Sequence, residues 1–180
     1  NPGAFPYIQG KGLGMTQEPD LTEEETFRTY IQDENYPSYD QWSGWYRWKI
    51  TMPVDTLTEV VRENLPSYAG QYPTHVLYQK EDGSFEQGVV DIGTVTDIQV
   101  AKRDTGGIVS ELLLSGTEGT VKLLKQGAVR SVLGSTRWKI EKKDDTLAED
   151  KELLPSAYIA AEPVRENETL TGFVISGGGY

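Results

Sequence analysis

Residues 95–140 read VTDIQVAKRDTGGIVSELLLSGTEGTVKLLKQGAVRSVLGSTRWKI, and this stretch decides the fold class. Runs of β-branched and leucine residues at 95–103, 108–114 and 120–124 predict short strands, and Thr105-Gly106-Gly107 marks a tight reversal between the first two. Residues 126–133 predict one short helix, followed by a strand at 136–142. Strands that follow one another through tight turns are expected to pair antiparallel.

The same reading extends to both sides of this stretch. Further strands are predicted at 46–52, 75–80, 158–161 and 172–176. Helices are predicted at 22–33 and 56–65, because Thr22 with Glu25 and Thr56 with Glu59 have the spacing of capping boxes, and Pro66 is expected to end the second helix. The fold class expected is α+β, dominated by a mixed or mostly antiparallel sheet with two or three short helices.

Composition limits the classes of function. The chain has 180 residues and 20.0 kDa, which suits one domain, with residues 1–42 expected to form a smaller helical lobe or a connector. The absence of cysteine and the single histidine predict no zinc, haem or other cofactor. A net charge of −11 opposes phosphate backbones, so nucleic acid is not expected as a partner. No apolar run reaches the roughly 18 residues of a membrane span, so no membrane insertion by this segment is expected.

The pattern within residues 95–140 resembles the stage II sporulation protein D (SpoIID) family, whose members act on bacterial wall glycan. The pattern comprises an Ile/Val strand with an arginine, a glycine turn, an apolar strand, and then Arg-x-x-Leu-Gly before Ser-Thr and an aromatic strand. The matching positions are Arg103, Gly106, Gly107, Val109, Leu112, Gly116, Arg130, Leu133, Gly134, Ser135, Thr136 and Trp138. Residues 6–10, 46–48 and 172–180 resemble flanking segments of the same family. The chain departs from the pattern at Gly107-Ile108, where the family often has an arginine, and it has one residue fewer between Gly134 and Ser135.

The resemblance implies a partial domain of a peptidoglycan-remodelling, lytic transglycosylase-like protein located outside the cytoplasmic membrane. The family's catalytic glutamate lies in an Ala-Ala-Glu-Met-Pro-like motif that would precede this segment, and its Gly-His-Gly-x-Gly-Met-Ser-Gln signature would follow Tyr180. Residues 1–180 are therefore expected to be inactive alone, with peptidoglycan glycan strands as the binding partner. The alternative is a non-catalytic binding module or amidase enhancer that docks onto other wall hydrolases or sporulation proteins.

No residue of this chain is predicted to be catalytic. Ala160-Ala161-Glu162-Pro163 imitates the family's catalytic motif, but it lies in the wrong place, and an exposed glutamate closing a strand is the preferred interpretation of Glu162. His75 is the only histidine, so a Ser-His-Asp site is not expected. The Gly-rich residues 10–14 lack a preceding strand and predict a connector, not a phosphate loop.

Several residues are candidates for glycan contact or for a structural role. Trp42 and Trp45 are predicted to be exposed platforms for sugar rings, whereas Tyr46 and Trp48 share a strand face and are assigned to the core. The resemblance adds Ser135 and Thr136 as hypothetical glycan contacts. Arg130 and Gly134 are assigned structural roles at the corner between helix and strand. The terminal residues 177–180 are expected to be disordered unless the sheet holds them.

Overall fold

The computed structural model describes residues 19–180, which form two five-stranded antiparallel sheets and three α-helices. The helices are α1 Glu24–Gln32, α2 Val54–Gln71 and α3 Gln126–Val132. The strands are β1 Trp48–Pro53, β2 Val76–Gln79, β3 Phe85–Gln87, β4 Val95–Arg103, β5 Val109–Gly116, β6 Thr120–Leu124, β7 Ile140–Lys142, β8 Leu147–Ala148, β9 Ile159–Glu166 and β10 Thr169–Gly177. The expected sheet-dominated α+β class is confirmed.

The two sheets differ in how far apart along the chain their strands lie. Sheet A has the order β8-β7-β1-β10-β9, and sheet B has the order β3-β2-β6-β5-β4. Sheet B is built from one continuous part of the chain, whereas β1 in the centre of sheet A pairs with β10, so that Trp48 lies opposite Gly177. Val109 of β5 donates its N–H to the carbonyl of Ala157 just before β9, at 3.0 Å, and this bond links the two sheets.

Both sheets pack against one hydrophobic core. In β1 the side chains alternate between buried and exposed, with Trp48, Ile50 and Met52 inside. The buried side of α2 contacts strands of both sheets and also α3. A second, smaller cluster forms where Phe27 and Ile31 of α1 pack on Ala160 of β9. None of the helices within residues 19–180 combines the length and the apolar composition needed to cross a bilayer.

The predicted helices are present, but the capping boxes and the proline that were expected to set their ends do not do so. Neither capping box forms: Thr22 bonds to the carboxylate of Asp20 at 2.6 Å, and Thr56 lies inside α2, which already begins at Val54. Pro66 does not end α2, because its ring is exposed while Leu65 and Ala69 continue the buried face beyond it. Packing of this apolar face outweighs the one backbone hydrogen bond that a proline removes.

Two strand predictions are shorter in the structure than expected. Residues 44–46 form a 3-10 turn, in which the Ser43 hydroxyl accepts the N–H of Trp45, so β1 begins only at Trp48. Residues 136–137 also form a turn, in which Trp138 donates its N–H to the carbonyl of Ser135 at 3.2 Å, and β7 begins only at Ile140. The strands β3 and β8 were not predicted, since each is only two or three residues long.

A buried arginine connects α1 to both sheets. The Arg103 side chain at the end of β4 donates to the Glu24 carboxylate at 2.8 Å, to the carbonyl of Gly107 at 2.8 Å and to the carbonyl of Ile159 at 2.9 Å. Its guanidinium also lies 3.6 Å from the centre of the Phe27 ring. Gly107 has φ +88°, and a Cβ there would lie 2.9 Å from the Phe27 ring, so glycine is required beneath α1.

Candidate functional site

A groove lined with tyrosine rings lies where α1, the turn before β1, the start of β9 and the C-terminal residues meet. We call it the tyrosine groove, and its volume is about 420 Å³. Its walls include Tyr30, Tyr46, Tyr158, Tyr180, Arg47 and Arg130. This volume falls within the range of about 300–1,000 Å³ that is usual for small-molecule sites.

Arg47 forms the floor of the tyrosine groove and is 4% exposed. It donates to the carbonyls of Tyr46 at 2.9 Å and Tyr30 at 3.2 Å, and to the Tyr46 hydroxyl at 3.1 Å. Its guanidinium carbon lies 3.9 Å from the centre of the Tyr46 ring and 4.6 Å from that of Tyr30. The Nε atom is buried and has no hydrogen-bond partner. Within residues 19–180 no carboxylate forms an ion pair with Arg47, and its direct polar and ring contacts are to tyrosine rings, a tyrosine hydroxyl and backbone carbonyls.

Tyr46 and Tyr158 are neutral hydrogen-bonding groups at physiological pH. Burial raises the pKa of Tyr46 to about 12, although the charge of Arg47 opposes this shift. Burial also raises the pKa of Tyr158 well above the ordinary value of a phenol, and the neighbouring Tyr30 adds to the effect. The Tyr46 hydroxyl donates to the carbonyl of Tyr36 at 2.7 Å. These phenols therefore suit binding and not proton abstraction.

The C-terminal residues are held in place and form one wall of the groove. Gly178 donates its N–H to the carbonyl of Tyr158 at 3.1 Å, and Gly179 donates its N–H to the carbonyl of Trp45 at 2.8 Å. The indole N–H of Trp48 donates to the carbonyl of Gly179 at 2.9 Å. The sequence predicts that residues 177–180 are disordered unless the sheet holds them. These hydrogen bonds hold them to sheet A and to the turn before it.

Arg130 lines the groove from α3 and uses one edge of its guanidinium for structure. Its Nε donates to the carbonyl of Leu154 at 2.8 Å, and its own carbonyl accepts the N–H of Leu154 at 3.1 Å. A Cβ on Gly134 would collide with the carbonyls of Glu152 and Arg130, so this corner has no room for a side chain. These contacts suit the structural roles assigned to Arg130 and Gly134, which stay predictions.

The four hypothetical glycan contacts lie in two different places. Trp42 is 87% exposed, and the partly buried Trp45 packs on Tyr180 with ring centres 4.6 Å apart. Ser135 and Thr136 lie in the turn after α3, where the Ser135 hydroxyl accepts the N–H of Arg137 at 3.2 Å, and neither residue lines the tyrosine groove. Trp45 is therefore the candidate with a direct contact to the groove wall.

The remaining candidates have ordinary structural surroundings. Glu162 lies within β9 opposite Val174, is partly exposed and does not line the groove. The Nδ1 atom of His75 shares a hydrogen bond of 3.0 Å with the Tyr68 hydroxyl, and the imidazole stacks on Tyr72. Within residues 19–180 no group of three or more His, Asp and Glu side chains is arranged to hold a metal ion. The segments at 6–10 and 10–14 lie outside the described residues.

Sequence reasoning missed Arg47, Tyr30 and Tyr158 as parts of a site. Strand alternation places Arg47 opposite Tyr46 and Trp48, on the face expected to be exposed, but α1 covers this face and buries the guanidinium. The only available signal was the density of tyrosines, of which the chain has 10. Their convergence from distant segments depends on tertiary packing, which local patterns do not report.

Segments that carry the resemblance to the SpoIID family lie at this groove. Arg130 and residues 178–180 line it, and Arg103 lies behind it under α1. No family model matches the chain, and comparison with curated proteins and with solved structures finds no match either. The chemistry of the groove and the resemblance are therefore the grounds for a functional proposal.

Proposed function

We propose that this chain is the scaffold and glycan-groove part of a SpoIID-type domain that remodels peptidoglycan outside the cytoplasmic membrane. The observation that carries the proposal is the tyrosine groove. In the parent protein the reaction would be non-hydrolytic cleavage of glycan strands from which the peptides have been removed. The chain alone is expected to bind glycan without cleaving it.

The groove has the chemical character of a saccharide site. Sugar rings present flat C–H faces that pack well on aromatic rings, and their hydroxyls need hydrogen-bond partners at the edges. Tyr180, which is 69% exposed, offers an accessible ring and packs on Trp45 behind it. The guanidinium of Arg130 supplies donors near this ring, and the oxygens of the neutral phenols can accept hydrogen bonds from sugar hydroxyls.

Binding to glycan strands freed of their peptides tests the proposal by calorimetry. Tyr180→Ala is expected to weaken binding about tenfold, which corresponds to roughly 1.4 kcal/mol of lost ring contact. Tyr72→Ala is the matched control, because Tyr72 is 48% exposed at the end of α2 and does not line the groove. Equal weakening by both variants, or no binding by the unaltered chain, would refute the proposal.

Inactivity of the chain alone is tested separately. Incubation with the same glycan strands is expected to give no cleavage products by mass spectrometry. Turnover that disappears in Glu162→Gln would instead make Glu162 a catalytic acid and overturn this part of the proposal.

A second candidate function is that of a docking module for a wall amidase or another wall hydrolase. Two large exposed side chains near each other in the chain, Tyr39 at 74% and Trp42 at 87%, favour it, because exposed aromatic residues are common at protein interfaces. Capture of a purified amidase by the chain, lost in Trp42→Ala, would support this function. If Trp42→Ala still captures the amidase and glycan binding depends on Tyr180, the glycan-binding function is favoured over the docking function.

A further inference from the structure

The tyrosine groove carries an excess of positive charge in an otherwise acidic chain. Two of its lining residues are arginines, Arg47 and Arg130, and one is a carboxylate, Asp40. Asp40 already accepts a hydrogen bond from the Ser38 hydroxyl. A third cation lies at the rim, where Lys151 donates to the Tyr180 hydroxyl at 2.9 Å. The net charge of the chain is −11, so the lining of the groove has the opposite sign to the chain as a whole.

Arg47 is a buried cation without a carboxylate. It is 4% exposed, its Nε has no partner, and no ion pair within residues 19–180 includes it. Burying a charge is costly unless it is paired, so the folded chain keeps a positive potential at the groove floor. An anionic ligand in the groove would relieve this cost without having to touch Arg47 itself.

Arg130 is the arginine that a ligand can reach. The hydrogen bond to Leu154 uses only its Nε, and none of the hydrogen bonds or ion pairs among the described residues uses Nη1 or Nη2. Because the Nε bond fixes the guanidinium, Nη1 and Nη2 are presented in a fixed geometry. This geometry suits a carboxylate or another oxyanion that accepts with two oxygens. The pKa of Tyr180 lies below its ordinary value, chiefly because of the hydrogen bond from Lys151, and the charges of Lys151 and Arg130 act in the same direction.

We propose that the tyrosine groove is a subsite for a carboxylate-bearing sugar, in which Arg130 contacts the carboxylate and Arg47 supplies a buried positive potential. This inference rests on the proposed glycan-binding function and narrows its ligand. Within wall glycan, the muramic acid units carry a lactyl carboxylate once their peptides are removed. The groove would therefore prefer strands whose carboxylates are free to strands in which they are blocked.

The first test changes the ligand and leaves the protein unaltered. Glycan strands freed of peptides are compared with the same strands after their carboxylates are converted to methylamides, using calorimetry at low and at moderate salt. The free carboxylate is expected to bind about tenfold more tightly or better, as a charge-assisted hydrogen bond requires, and the difference should shrink as salt rises. Equal affinity for both strands overturns the inference while leaving the proposed function intact. Binding to neither strand refutes the proposed function, and the inference with it.

The second test changes the protein. Arg130→Gln is expected to bind the free-carboxylate and the methylamide strands with equal affinity, so that the roughly tenfold preference of the unaltered chain disappears. Arg62→Gln is the matched control, because Arg62 is exposed on α2 beside a different groove. Thermal unfolding of both variants reports whether loss of the Leu154 bond unfolds the corner. Should Arg130→Gln keep the full preference for free carboxylates, Arg130 does not contact the ligand and the inference fails.

Discussion

The buried guanidinium of Arg103 allows a quantitative prediction about the joint between α1 and the two sheets. Its guanidinium donates hydrogen bonds to the Glu24 carboxylate, the carbonyl of Gly107 and the carbonyl of Ile159 at the same time. It also lies over the Phe27 ring. In Arg103→Lys, a lysine ammonium that keeps the ion pair with Glu24 can donate to at most one of the two carbonyls. A buried carbonyl left unpaired costs about 1–3 kcal/mol, and the weakened contact with the Phe27 ring adds up to about 1 kcal/mol.

Arg103→Lys is therefore expected to lower the free energy of unfolding by about 1–4 kcal/mol, although the charge is conserved. In a chain of this size each kcal/mol shifts Tm by roughly 2–4 °C, so Tm should fall by about 2–16 °C in a circular dichroism melt. Arg62→Lys is the control, and as an exposed exchange it should stay within about 0.5 kcal/mol of the parent. A Tm for Arg103→Lys that matches this control would show that the fork geometry does not stabilise the joint.

Three further predictions concern neighbouring features. Gly107→Ala should destabilise the fold by at least about 1–2 kcal/mol in urea unfolding, because φ +88° disfavours a side chain and the new Cβ would lie 2.9 Å from Phe27 and Tyr158; an unchanged midpoint would contradict this. Burial raises the pKa of Tyr46 to about 12, so the stability that its neutral phenol contributes is complete below pH 10 and is lost as the pH rises through 12. In Tyr46→Phe, this part of the loss of stability at alkaline pH should vanish when unfolding is measured in denaturant across the pH range, with the tyrosine titration followed by ultraviolet absorbance. Trp42→Ala should leave Tm within about 2 °C of the parent, since the side chain is 87% exposed, and a larger loss would mean that the indole packs against the body of the protein.

The parts of the fold that could be predicted are those that local patterns decide. The strands β4 and β6 have the predicted limits because β-branched residues and glycine turns lie in the same short stretch. The limits of α1 and α2 could not be predicted from capping boxes, because Asp20 competes for the Thr22 hydroxyl and because buried side chains extend α2 past Pro66. In each case a contact outside the local motif has the stronger effect.

The candidate site was predictable only at its edge. The sequence marks Trp45 as a candidate by its aromatic ring, and Trp45 packs on Tyr180 in the groove wall. It does not mark Arg47, because an arginine in an alternating strand pattern is expected to face water, and only the position of α1 reveals that it is buried. A site assembled from α1, the turn before β1 and the C-terminal residues leaves no spacing in the sequence that a motif could record.

The pairing of Trp48 with Gly177 also has a consequence for the order in which the chain folds. The strands of sheet B span residues 76–124 and pair through short connections, so each pairing costs little loop-closure entropy. The central strand of sheet A pairs with β7 over only two residues, and its longer pairing, over six residues, must wait for β10, which follows every other strand of the described residues. Contacts between distant parts of a chain form slowly, so we expect sheet B to gain protection from hydrogen exchange first and sheet A to complete its folding only once β10 is present. The tyrosine groove, one wall of which is formed by residues 178–180, would then take shape after sheet B.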